Sequence, residues 1–228
     1  EAIPVCVNAV LFPDGTVSLH PSSLQLIGIR ALTLGVFGYA GNDFARLRDQ
    51  GTAVLDEVEV VVRRTGAWLG RHGYVGAFGV DLLVDEADVY LAEVNPRFQS
   101  SSPLSARLDA AMDRSDMYLE HIAAFLGLDP VPGPPLRDIV RSQPGRAQLM
   151  AYSTASVPRR LRTRRDAPRE WSFQPEILPP AGVRVLTGGV LSRLMRDGPV
   201  TTDGLSLAPR LEAEVEAFVA WRFETPTA

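Results

Sequence analysis

Two acids, an amide and an arginine fall close together in Val80-Asp81 … Glu93-Val94-Asn95-Pro96-Arg97. Side chains of a strand alternate between its faces, so Glu93 and Asn95 share a face of any strand that holds both. With Asp81 beside them they form a hard oxygen set of two carboxylates and one amide oxygen. Such a set suits Mg²⁺, which takes a few carboxylates and completes its shell with phosphate oxygens and water; Mn²⁺ is the alternative ion. Arg97 adds a permanently charged fork matched to phosphate or carboxylate, and Pro96 stiffens the exit from the strand. A metal between phosphates, with arginine beside it, is the equipment of phosphoryl transfer. Acids on a strand face are more often merely solvated. Here the face runs on into Asn-Pro-Arg-Phe-Gln-Ser-Ser-Ser, which a plain solvent face does not need.

Two strands must position these groups, roughly Gly76–Val84 and Val89–Asn95. Asp81 and Leu83 share one face of the first, and Leu91, Glu93 and Asn95 share one face of the second. Tyr90, Ala92 and Val94 then face the core. A four-residue loop at Asp85–Asp88 pairs Asp81 with Ala92 and separates the acids. A three- or five-residue loop pairs Asp81 with Glu93, Leu82 with Ala92 and Val84 with Tyr90. The apolar rows then coincide, so the pattern predicts an odd loop.

The surrounding pattern is that of a mixed fold. Pro4–Leu11 reads as a strand, Pro13-Asp14-Gly15 as a turn, and Thr16–His20 as the return of a hairpin. Pro21–Gly28 reads as a loop carrying Ser22, Ser23 and Gln25, Leu32–Tyr39 as a strand, and Gly41-Asn42-Asp43 as a turn. Asp49–Leu69 has helical spacing, with Val54, Val58, Val61, Val62, Trp68 and Leu69 on its apolar face. Ser105–Leu126 reads as a second amphipathic helix, its face including Leu108, Ala111, Met112, Leu119, Ile122 and Phe125. Asp129–Pro135, with four prolines and a glycine, is the best linker in the chain. Beyond it lie a strand near Ala147–Ala155, short strands at Val183–Leu186, Leu191–Met195 and Thr202–Leu207, and a closing helix Leu211–Phe223.

Bulk properties exclude several classes. At 228 residues, nearly half of them apolar, the chain can bury a substantial core. A net charge of −4 gives no general attraction to nucleic acid. Every basic residue other than histidine is arginine, so no lysine chemistry can come from this chain. Cys6, the only cysteine, forms no internal disulfide and fits a reducing, cytoplasmic compartment. No apolar run approaches membrane-spanning length. His20, His72 and His121 lack partners at metal-ligand spacing and read as structural. The basic run Arg159–Arg165 reads first as a mobile solvated loop. Contact with an anionic substrate or carrier protein is the next reading for it, and nucleic acid the last. Trp171-Ser172-Phe173 reads as core or lid packing.

At Gly73-Tyr74-Val75-Gly76 … Val80-Asp81 and Glu93-Val94-Asn95-Pro96-Arg97-Phe98-Gln99-Ser100-Ser101 the sequence resembles the ATP-grasp ligase superfamily, in particular its metal-binding hairpin. Carboxylate–amine ligases, biotin carboxylase and carbamoyl-phosphate synthase share this pattern, and the resemblance covers roughly residues 4–127. It implies an α/β (α+β) fold: an ATP-grasp C-terminal lobe with an antiparallel sheet and flanking helices over residues 1–128. A linker at 129–135 and a small C-terminal α+β domain at 136–228 follow, the latter faintly like domains appended to biotin-carboxylase-like proteins. Such a domain could close an acceptor pocket or mediate homodimerisation. By position, Asp81 and Glu93 look like the two Mg²⁺-binding acids and Asn95 like the third ligand. Arg97 is similar to the arginine that holds the acyl-phosphate or the carboxylate under attack. Gln25 sits where related enzymes place polar residues near the transferred phosphate, and Gln99, Ser100 and Ser101 are weaker candidates for substrate contact.

The resemblance implies an enzyme using ATP and Mg²⁺. ATP phosphorylates a carboxylate, and an amine displaces phosphate from the acyl-phosphate. Amino-acid-like or peptide substrates are expected, with neither nucleic acid nor membrane as partner. Activation of bicarbonate, as in biotin carboxylase, is the alternative chemistry; against it, Ser100-Ser101-Ser102 stands where a Glu-His pair would be needed. A non-catalytic binding module is the alternative outside enzymes. The family's phosphate-gripping lysine, glycine-rich flap and adenine-hinge segment have no counterpart here, so the chain reads as the C-terminal part of a longer enzyme. We therefore expect it to bind ATP weakly by itself; nucleotide titration by calorimetry checks this, and micromolar affinity would contradict it.

Overall fold

The computed structural model describes residues 2–86, 88–162, 171–176 and 179–223. The chain divides into two compact units, one of residues 1–25 and 44–145, the other of residues 26–43 and 146–228. This division does not follow the linear one drawn at the Pro-rich segment. Residues 26–43 join the second unit, and the helix that follows Pro135 joins the first.

The first unit is organised on strand β1 (Ile3–Leu11), an almost fully buried run. It pairs antiparallel with β5 (Gly76–Asp85) over nine consecutive positions, from Ile3↔Val84 to Leu11↔Gly76. The Asp14-Gly15 turn, in which the Asp14 carboxylate accepts from Thr16 N at 2.8 Å, returns the chain as β2 (Val17–Leu19) against β1. Residues 23–25, part of β3 (Ser23–Ile27), pair with β1 through Val5↔Leu24 and Cys6↔Ser23. This segment was expected to be loop. Its alternating Leu24 and Leu26 are buried, and that period was masked by the polar residues between them.

Each face of this sheet has its own helical cover. Helix α1 (Thr52–Arg71) lays Val54, Leu55, Val58, Val62 and Leu69 on Val5, Val7, Val80, Leu82 and Val84. The approach is close at Gly66, where a Cβ would stand 2.4 Å from Val17. Helix α4 (Leu136–Ser142) adds Leu136, Ile139 and Val140 to the same core, and Leu136 N donates to the Glu59 carboxylate of α1 at 2.7 Å.

The opposite face carries Cys6, Asn8 and Val10 of β1. It is covered by α2 (Ser102–Ala111) and α3 (Met117–Phe125), with Val10, Ala77, Ala106, Met117 and Ala124 in one cluster. The sequence pattern suggested one continuous helix here. The structure breaks it at Met112–Asp116, where Asp113 takes a left-handed φ of 53° and the Asp116 carboxylate caps Tyr118 N and Leu119 N. The break re-phases the second half. Leu119, Ile122 and Phe125, expected to face inward, are exposed, while Glu120 is buried.

The last sheet neighbour is β6 (Asp88–Asn95), which pairs with β5 as an edge strand. Asp81 does lie opposite Glu93, as the hydrophobic pattern required, but the route differs from the odd loop expected. β5 and β6 join through a two-residue connection after the pair Asp85↔Asp88, with Glu86 at φ 52°. Near this tip the register gives Leu82↔Leu91, Leu83↔Tyr90 and Val84↔Val89; past a bulge that inserts Ala92 it becomes Asp81↔Glu93 and Val80↔Val94. Tyr90, not Leu91, therefore shares the face of the acids. The bulge lets Val89, Leu91 and Val94 all point toward α1, which strict alternation forbids because 91 and 94 differ in parity. Past the last β5–β6 pair, Ala77 N donates to His121 Nδ1 of α3 at 2.9 Å.

The second unit holds strands β4 (Tyr39–Asp43), β7 (Arg146–Tyr152), β11 (Val190–Asp197) and β9 (Gln174–Glu176), adjacent in that order and antiparallel. Helix α5 (Pro209–Arg222) supplies Leu211, Val215 and Phe218 to its core, where Trp171 and Phe173 meet Phe218 edge-on. Four expectations fail here. Residues 32–38 are turns rather than a strand, closed by Gly38 N to Gly35 O at 2.9 Å, with Val36 and Phe37 exposed. Gly41-Asn42-Asp43 is strand, not turn, since Gly41 lets β4 lie against Gln148, whose carbonyl would be 2.2 Å from a Cβ. The expected strand Thr202–Leu207 is a bend closed by the single bridge Thr201↔Leu207. Arg159 and Arg160 form strand β8, paired with β10 (Arg184–Val185), so this part of the basic run is not a solvated loop; Thr163–Arg165 lie outside the described residues. Replacing Asp116 by Ala should lower stability by about 1 kcal/mol. Thermal unfolding would read this as a midpoint roughly 2–4 °C lower.

Candidate active site

Asp81 is a half-buried carboxylate on the α2-covered face of an otherwise apolar strand. Two side-chain amides hold it. Gln99 Nε2 donates to Oδ1 at 2.9 Å, and Asn95 Nδ2 donates to Oδ2 at 3.1 Å. Burial pushes the Asp81 pKa above the usual carboxylate value; the Gln99 hydrogen bond opposes this and the nearby Glu93 charge adds to it, with smaller lowering contributions from Cys6 and Gln25. Gln25 of β3 thus reaches the same carboxylate.

Glu93 faces Asp81 across the hairpin and is exposed, whereas Asn95 is buried beside Gly79. Two carboxylates with one amide group fit Mg²⁺ chemically. Among the described residues no cluster of three His, Cys, Asp or Glu side chains could enclose an ion, so phosphate oxygens and water would have to complete its shell. Arg97 is exposed two residues past Asn95, its Nη1 donating to Phe98 O at 3.1 Å.

The support for Asp81 reaches deep into the sheet. Gln99 Oε1 accepts from Cys6 Sγ at 3.2 Å, and Gln99 N donates to Ser102 Oγ at 2.9 Å. Ser102 Oγ in turn donates to Asn8 Oδ1 at 3.0 Å, while Asn8 Nδ2 donates to Ser101 Oγ at 3.1 Å. Ser101 and Ser102 are fully buried, and Ser100 is exposed. Of the weaker candidates, Gln99 therefore touches the acid directly, Ser101 supports it from behind, and Ser100 is exposed.

Sequence reasoning missed Asn8 and Gly79. A polar residue inside Ile3–Leu11 marked the first. A glycine inside a strand marked the second, since such a position often admits another group closely. Gln99 lies across Gly79, and a Cβ there would fall 2.0 Å from its carboxamide carbon.

Residues 4–101 match the model of the ATP-grasp domain. This segment is an ATP-grasp domain. No protein of curated function matches the sequence. Solved structures share the fold at low identity. A Rhizobium etli pyruvate carboxylase aligns at TM-score 0.60 and 16% identity, over 87% of this chain and 19% of its own. The biotin carboxylase domain of Hydrogenobacter thermophilus 2-oxoglutarate carboxylase, solved with MgADP, ADP and bicarbonate, aligns at 0.58 and 12%, over 87% and 42%. Thermus thermophilus N5-carboxyaminoimidazole ribonucleotide synthetase aligns at 0.55 and 14%, over 99% and 52%. The chain spans about half or less of each. The mixed α/β fold, with antiparallel sheet and flanking helices, is thus shared with the ATP-grasp domains of biotin carboxylases. Among the described residues no helix is long and apolar enough to cross a membrane.

A Gly79→Ala variant should still fold, because the obstructing atoms end a flexible side chain, but Gln99 must leave Asp81. We expect a loss of about 1–3 kcal/mol, read as a lower urea midpoint. Release of the Gln99 side-chain amide should be visible by NMR; an unmoved amide signal would contradict the assigned packing.

Proposed function

We propose that this ATP-grasp domain is the metal-and-phosphate half of an ATP-dependent carboxylate–amine ligase. The observation that carries the reading is Asp81 paired directly with Glu93 and fixed by the Asn95 and Gln99 amides. Asp81, Glu93 and Asn95 would hold Mg²⁺, which when bound neutralises charge on the transferring phosphate. The two amide donors fix the plane of the Asp81 carboxylate, so the ligand is placed before the nucleotide arrives. Gln25, beside Asp81, would lie near the transferred phosphate. Arg97, which meets no carboxylate among the described residues, would bind the substrate carboxylate and then its acyl-phosphate, whose mixed anhydride an amine opens with loss of phosphate. No nucleophilic side chain is needed for that sequence.

With no lysine in the chain, the groups that grip the nucleotide's tail and base would come from the remainder of the enzyme. Amino-acid-like or peptide carboxylates are the proposed substrates, and the second unit would mediate homodimerisation. The shared fold of biotin carboxylases keeps bicarbonate as a second substrate to test. Against it, the hydroxyls of Ser101 and Ser102 are both spent on Asn8, and neither is a base.

ADP release by the full-length enzyme, measured against amino acids, small acids and bicarbonate, tests the proposal. Release should depend on an added carboxylate and amine. Asp81→Asn and Glu93→Gln should each lower it by at least about a hundredfold, equivalent to roughly 3 kcal/mol of barrier. Unchanged turnover in both variants would reduce the site to a silent binding module.

A further inference from the structure

His20 was read as an ordinary structural histidine, and its surroundings say more. It follows β2 and is completely buried. Its Nδ1 lies 2.7 Å from Asp109 Oδ2 of α2, and its Nε2 lies 3.3 Å from Glu120 Oε2 of α3 without hydrogen-bond alignment. Asp109 Oδ1 also takes Arg114 Nε at 3.0 Å, and Arg114 Nη2 donates to Leu19 O at 2.8 Å. The groups facing His20 are therefore two carboxylates, one of them shared with a single guanidinium. With His20 protonated the cluster is neutral; with His20 neutral a buried carboxylate is left uncompensated. Burial alone would lower the pKa of this histidine, but the hydrogen bond to Asp109 and the negative charges of Asp109 and Glu120 outweigh it and raise the value to about 8.

The position of this cluster matters because α2 links it to the acid site. Asp109 lies in the last turn of that helix, and Ser101 and Ser102 lie at its start. Those serines hold Asn8, and Ser102 holds Gln99 N, whose side chain holds Asp81. The His20 backbone also meets Asn8, its main-chain N–H donating to Asn8 O at 3.1 Å. Its carbonyl accepts from Ser22 Oγ at 2.9 Å, three residues before Gln25.

We propose that the His20 imidazolium is a positioning residue for the Asp81 site, seating α2 against β1 and β2 so that Gln99 reaches Asp81. Its bearing on catalysis rests on the ligase reading above; its bearing on geometry does not. The sign follows from the raised value. The stabilisation is complete below the unfolded-state pKa near 6.5 and is lost as pH rises through about 8.

NMR of the full chain, labelled at histidine and at glutamine side-chain nitrogen, tests this. Only three histidines are present, and a His20→Gln variant assigns the signal. His20 should titrate near 8, and the Gln99 amide resonance should shift with the same midpoint. In His20→Gln, or in Asp109→Asn, that shift should vanish. A Gln99 signal flat through the His20 titration overturns the proposal, as does a His20 that is neutral at pH 7. The wild-type titration decides even if both variants fail to fold. Paramagnetic broadening by Mn²⁺ alone separates the two readings. Broadening around Asp81 that weakens through the His20 midpoint supports both, whereas none at any pH removes the metal site and leaves the coupling to be judged by Gln99.

Discussion

A carboxylate placed on a sheet face that is otherwise closed over by helices must be paired, hydrogen-bonded or protonated. Asp81 meets this constraint through two neutral amides, and much of the local architecture serves them. Gly79 leaves room for Gln99. Cys6 and Asn8, which interrupt the apolar run of β1, take up the remaining polar atoms of Gln99 and the serines. The α2 N-terminus turns where it does because Gln99 N and Ser102 Oγ close it. Neutral amides orient a carboxylate without discharging it, so its negative charge stays available to a cation. An arginine in the same place would have stabilised the empty fold and consumed the charge.

His20, fully buried, and His121, partly buried, meet opposite demands. His121 Nδ1 accepts a backbone N–H, which requires a neutral ring, and burial lowers its pKa accordingly. His20 faces two acids and is held as the cation. Both serve the same helical cover of one sheet face. Their partners are far away in sequence, and for that reason spacing alone assigned neither role.

The features legible in the sequence were those with a local period. The strands around Asp81 and Glu93, helix α1 and the closing helix followed from two- and 3.6-residue repeats of apolar residues. The pairing of the two acids followed from requiring the apolar rows to meet. What was not legible depended on partners distant in the chain. Leu119, Ile122 and Phe125 fit a helical face, yet Asp116 and Asp113 restart the helix and turn that face to solvent. Val36 and Phe37 have strand-like character, but Gly35 and Gly38 close a turn around them. Residues 26–43 join the second unit by pairing with β7, over a hundred residues on, which no local pattern announces.

The bulge at Ala92 divides one short strand into two reading phases. On the tip side, even-to-odd matching with β5 puts Val89 and Leu91 inward; on the root side, odd-to-odd matching puts Glu93 and Asn95 with Asp81. Because the phase change sits between them, a single-residue insertion or deletion in the tip need not propagate to the acids. It can be absorbed by creating or erasing the bulge. The hairpin end can therefore change by a residue while Asp81 stays opposite Glu93.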